Sequence, residues 1–141
     1  MNLILPLKEI IYRLVLAAIL GGIIGMERSL LKKQAGLRTF ALVSLGASLF
    51  SYIGYSVFPN DPTSVSRIIA NLVVGVGFLG AGLIFLKEEK IYGLTTAAAL
   101  WVTAAIGGAV GIGLYFEAFL TTILSVVILT LWTYIENFIR K

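Results

Sequence analysis

Two residue types are missing altogether: the 141-residue chain contains neither cysteine nor histidine. Disulfides, thiolate and imidazole metal sites and histidine acid–base chemistry are thereby excluded. With no cysteine, the redox compartment leaves no mark on the sequence. Charge is scarce as well: 13% of residues are charged and 59% hydrophobic, which excludes an ordinary soluble domain. The net charge of +4 does not point to nucleic acid, because the basic residues are dispersed and no basic stripe forms.

What is present is long apolar runs. Ile10–Met26, Phe40–Phe58, Ile68–Leu86, Leu94–Leu114 and Phe116–Ile135 each approach the length of a transmembrane helix. A hydrocarbon core ~30 Å thick takes ~20 residues at ~1.5 Å rise. In lipid no water satisfies a stray backbone group, so helices are the economical way to cross. The expected fold is all-α: a polytopic bundle of five spans in a single transmembrane domain over 1–141. The helices are expected at about 7–28, 37–58, 64–86, 94–111 and 115–138. The first run lacks a small-residue cleavage site before Met26-Glu27-Arg28 and reads as a retained helix rather than a signal peptide.

Arg28, Lys32, Lys33 and Arg38 crowd the first connection, Lys87 and Lys90 the third, and Arg140 and Lys141 the tail. The opposite side carries Lys8, Arg13 and Arg67. The positive-inside rule then places the N-terminus outside and the C-terminus in the cytoplasm, as an odd number of spans requires. Pro6 precedes helix 1, and Ser29–Gly36 is expected to be partly helical on the membrane surface. Pro59-Asn60-Asp61-Pro62 forms a turn, with Thr63 or Ser64 as the N-cap of helix 3. Shifting the chain by 57 positions aligns Gly25 with Gly82, Lys33 with Lys90 and Gly36-Leu37 with Gly93-Leu94. Such a pattern fits a parallel duplication of one hairpin, or coincidence in a composition so rich in small residues.

Small residues recur at helical spacing. Ala17, Gly21 and Gly25 lie on helix 1, Ala104, Gly108 and Gly111 on helix 4, and Gly75, Gly77, Gly80 and Gly82 on helix 3. Such spacing lets backbones approach closely, either within the bundle or against a partner, and a homo-oligomer is expected. Ser44, Ser48, Ser51 and Tyr55 share one face of helix 2. These serines either bond their own i−4 carbonyls or line a polar groove.

The candidate functional residues are polar or motif positions: Glu27, Arg38, Thr39, Arg67, Asn71, Thr95, Thr96 and Trp101. Arg28, Lys32 and Lys33 read as interfacial anchors. An acid gains nothing from an anionic surface, so Glu27 needs a cationic partner, Arg38 or Arg28; a Glu27–Arg38 pair would brace two helix ends. Asn71 lies well inside an apolar run and is expected to hydrogen-bond a neighbouring helix. None of Asp61, Glu117, Glu27, Glu88, Glu89 and Glu136 lies at mid-span, so a path for ions gains no support. No nucleophile and base stand at catalytic spacing, which argues against an enzyme. No cofactor is expected, and whether a metal binds stays open.

Gly25-Met26-Glu27-Arg28 followed by Ala35-Gly36-Leu37-Arg38-Thr39 resembles the opening of the MgtC/SapB family of bacterial inner-membrane proteins. The resemblance extends through Asp61-Pro62, Arg67-Ile68, the Gly75–Gly82 run and Gly93-Leu94-Thr95-Thr96-Ala97-Ala98 with Trp101. It implies a multi-pass protein of the bacterial inner membrane, linked to growth when magnesium is scarce and acting on other membrane machinery. Family members often carry asparagine where this chain has Thr95, and many carry a soluble C-terminal domain after the membrane part. The chain therefore resembles a short member, transmembrane part only. Two readings follow. In one the chain is non-enzymatic and binds another integral membrane protein through its small-residue faces. In the other it carries Mg²⁺ or another small solute.

Overall fold

A computed structural model describes residues 7–139, apart from the side chains of Glu136 and Asn137. Pro6 and the tail charges Arg140 and Lys141 lie outside the described residues. Among the described residues, five helices are long and apolar enough to cross a membrane. They are α1 (Leu7–Leu30), α2 (Leu37–Val57), α3 (Pro62–Ala81), α4 (Leu94–Ile112) and α5 (Tyr115–Ile139), and a small hairpin of β1 (Phe85–Lys87) and β2 (Lys90–Tyr92) joins α3 to α4. The α1–α2 connection is a turn and bend rather than a surface helix. It is held by Ser29, whose Oγ accepts from the Leu37 amide at 2.9 Å and so satisfies one free donor of α2.

The third helix departs from expectation at both ends. It is capped by Asp61, not Thr63 or Ser64: its Oδ1 accepts from the Thr63 and Ser64 amides at 3.0 and 3.2 Å. Pro62 then occupies the first helical position, where its missing N–H costs nothing. The helix stops at Ala81, five residues before the expected end at 86. Phe85, Leu86 and Lys87 pair antiparallel with Tyr92, Ile91 and Lys90. The connecting Glu88 and Glu89 both adopt positive φ, 50° and 62°, the backbone of a two-residue hairpin turn. Phe85 and Tyr92 stack across the strands, ring centroids 5.6 Å apart. Gly93 closes the hairpin at φ 89°, where a Cβ would lie 1.9 Å from the Leu83 carbonyl oxygen. No other residue fits there.

The core lies where α1, α2 and α4 meet, around Ala17, Leu20, Ile24, Phe40, Leu100, Ile106 and Val110. α5 leans on α1 and α4, and α3 on α4 and α2. Burial follows position: 56% of the spanning window of α4 is buried, against 11% of that of α3. α3 is therefore a peripheral helix, with Val74 and Phe78 fully outward. The hairpins related by the 57-residue shift are unequally packed. A Cβ on Gly25 would press on Phe40 and Leu37, whereas one on Gly82 would meet only carbonyls of its own helix.

Candidate functional site: a sealed seam and an open groove

The serine stripe of α2 is a polar feature inside the bundle. Ser44, Ser48 and Ser51 are fully buried and line no polar groove, Ser51 alone bordering a small, mostly apolar cavity between α3 and α4. Glycines of the flanking helices press on them. A Cβ on Gly107 would lie 2.1 Å from the Ser44 carbonyl oxygen, one on Gly111 2.3 Å from that of Ser48, and one on Gly21 2.5 Å from Ser44 Cβ. The small residues of α1 and α4 thus let three backbones meet, and the seam is closed by contact. The three serine hydroxyls have no partner among the described residues. Thr103, by contrast, donates to the Ala99 carbonyl at 2.8 Å. Tyr55 is half-exposed and leaves the stripe.

Two arginines that the sequence places at the surface are buried. Arg13, 6% exposed, pairs with Glu9 one turn earlier and donates from Nη1 to the Gly111 carbonyl in the last turn of α4. Its guanidinium also faces the rings of Tyr52 and Tyr115, 5.7 and 6.0 Å from their centroids. One side chain so ties α1 to α2, α4 and α5. The favourable end of a helix dipole for a cation is its C-terminus, where Gly111 sits. Arg28, 2% exposed, is a core residue rather than a lipid-facing anchor. Its Nε and Nη2 clasp both carboxylate oxygens of Glu27, the Nη2–Oε1 bond being 2.6 Å. Glu27 therefore takes its partner from the adjacent residue, and the expected Glu27–Arg38 brace is not formed. Arg38 stays exposed because it faces away at the start of α2.

The remaining candidate positions separate into two groups. Glu27, Arg38, Thr39, Thr95 and Thr96 lie at the end of the bundle that also carries Lys32, Lys33 and the β hairpin. There Arg38 and Thr39 line a shallow cavity of about 650 Å³ with Ser29 and Gln34. Thr95 is exposed at the start of α4, while Thr96 is buried. Trp101 borders a second cavity, about 240 Å³, between α3 and α4. Arg67 and Asn71 stand apart on α3, both exposed. Among the described residues Asn71 does not bond a neighbouring helix. It lines a groove of about 560 Å³ between α2 and α3, beside Gly46 and Gly75. At the end of α3, hydrogen bonds from Ser64 hold the Asp61 carboxyl below its ordinary pKa, helped by the Thr63 amide and the Arg67 charge. Among the described residues no three carboxylates gather as a metal site.

Sequence reasoning missed Arg13 as an organising residue. The signal was there: a lone arginine between Tyr12 and Leu14, one helical turn after Glu9, inside the first apolar run.

Five apolar spans around a glycine-sealed core define a multi-pass helical membrane protein. The sequence model of the MgtC family matches residues 14–138. The chain belongs to that family. It is 49% identical over 116 residues to YhiD of Escherichia coli (strain K12), provisionally named a magnesium transporter, covering 76% of this chain and 53% of YhiD. It is 44% identical over 107 residues to protein MgtC of Brucella abortus (strain 2308), covering 76% of this chain and 44% of that protein. With protein MgtC of Salmonella typhimurium it shares 43% over 114 residues, 81% of this chain and 48% of the relative. The chain spans about half the length of these relatives. No solved structure matches it.

Proposed function

We propose that this chain is a non-enzymatic protein of the bacterial inner membrane, N-terminus outside, that serves magnesium or stress homeostasis by binding and modulating another integral membrane protein. The observation that carries this reading is the division of labour among its small residues. Gly21, Gly107 and Gly111 are consumed in sealing the seam, whereas a Cβ on Gly77 would meet nothing within 4 Å. Ala70, Gly77 and Ala81 are exposed and recur at helical spacing on α3, a surface that a partner helix can approach closely. The link to magnesium rests on the family and on the name of YhiD.

A photo-crosslinking residue at Ala70, used in native membranes, tests the partner. One defined protein should be captured at constant stoichiometry, and Gly77→Leu should abolish both the capture and growth at low magnesium. Capture of this chain alone, with growth unaffected by Gly77→Leu, overturns the reading. The transport alternative predicts Mg²⁺ flux into liposomes holding the purified protein; the proposal predicts no flux above empty vesicles.

A further inference from the structure

The groove between α2 and α3 is open at a depth where an open polar group is costly. Asn71 is central in the twenty-residue α3, and Gly46 is central in the 21-residue α2. Both therefore sit near the middle of a bilayer that the two helices cross. At that depth an amide has no water, and acyl chains offer neither donor nor acceptor. Asn71 is exposed, and its amide makes no hydrogen bond among the described residues. Gly46 and Gly75 beside it are unlike the seam glycines, since a Cβ on either would meet nothing within 4 Å. They leave room for something from outside.

We propose that the groove receives α3 of a second copy of this chain, with the two Asn71 amides bonded to each other across a two-fold axis along the membrane normal. Three observations favour a second copy over any other occupant. A carboxamide both donates and accepts, so it is complementary to itself. A copy inserted in the same sense brings its own Asn71 to this depth without adjustment, whereas an unrelated helix has to carry a polar group at that level. Gly75 lies one turn along the same face, which lets the two α3 backbones approach closely next to the amide pair. Arg67, one turn the other way, reaches the end of the span, where headgroups and water disperse its charge. This contact face is distinct from the Ala70, Gly77 and Ala81 surface, so it stands or falls separately from the partner binding proposed above.

The absence of cysteine makes the test direct. In purified protein reconstituted in lipid vesicles, Gly75→Cys should oxidise to a covalent dimer, while Phe116→Cys, outward on α5, should not. Single-molecule photobleaching should show two copies per assembly. Asn71→Leu should weaken association by roughly threefold to thirtyfold, the range of interhelical amide hydrogen bonds, and Asn71→Gln should restore most of it. Asn71 is exposed and makes no hydrogen bond to another helix among the described residues, so Asn71→Leu should leave the melting temperature of the monomer in detergent unchanged, which separates lost association from lost folding. A monomer in vesicles, a dimer indifferent to Asn71→Leu, or a lipid retained in the groove of a monomer overturns the proposal.

Discussion

Arg13 is the side chain on which most elements of this molecule converge. It joins Glu9 on its own helix, the Gly111 carbonyl of α4 and the rings of Tyr52 and Tyr115. Removing it strands a half-buried carboxylate and the carbonyl of a helix terminus together. Arg13→Leu should therefore lower stability in detergent micelles by about 2–3 kcal/mol, less than a fully buried pair would lose because Glu9 can rehydrate. Glu9→Gln should lose about 1 kcal/mol, since the guanidinium keeps its carbonyl and both rings. Denaturation midpoints of the two variants check the order, and equal losses would contradict it. At this scale the sequence was least legible. A charged residue near the end of an apolar run reads as a snorkelling anchor, and only the rotation of α1 about its axis turns Arg13 and Arg28 inward.

At the scale of elements, apolar run length located the helices, because the bilayer sets a minimum span. Their ends were set by chemistry that run length does not register. Ile84, Phe85 and Leu86 continue the apolar run of α3, so they read as helix. What decides otherwise is Lys87–Lys90 folding back in a two-residue turn and Gly93 at a φ that only glycine adopts readily. At the other end Asp61, a strong N-cap residue beside Pro62, was a readable signal that outranked Thr63 and Ser64. Asp61→Ala should speed amide exchange in the first turn of α3, while Asp61→Asn, which keeps an acceptor, should have a smaller effect. Folding depresses the Asp61 pKa, so its cap acts in the ionised form. Exchange protection should persist as pH falls through 3.8, the ordinary value, and be lost only below it. Loss of protection above that pH would contradict the capping role.

For the whole molecule, the serine stripe and glycine spacings were visible in sequence, but their meaning was not. Spacing tells which residues share a face. It does not tell whether that face meets water, lipid or another helix. The structure places Ser44, Ser48 and Ser51 under α1 and α4, and leaves the glycine-rich α3 at the rim. Under the proposed function, a bundle closed in the middle and open along one flank acts by contact rather than conduction. Ser48→Cys, introduced into this cysteine-free chain, measures that claim most directly through its rate of modification by a small water-borne thiol reagent in sealed vesicles. The account predicts no labelling from either side until the protein is unfolded; rapid labelling of the folded protein would reveal a wet path and contradict it.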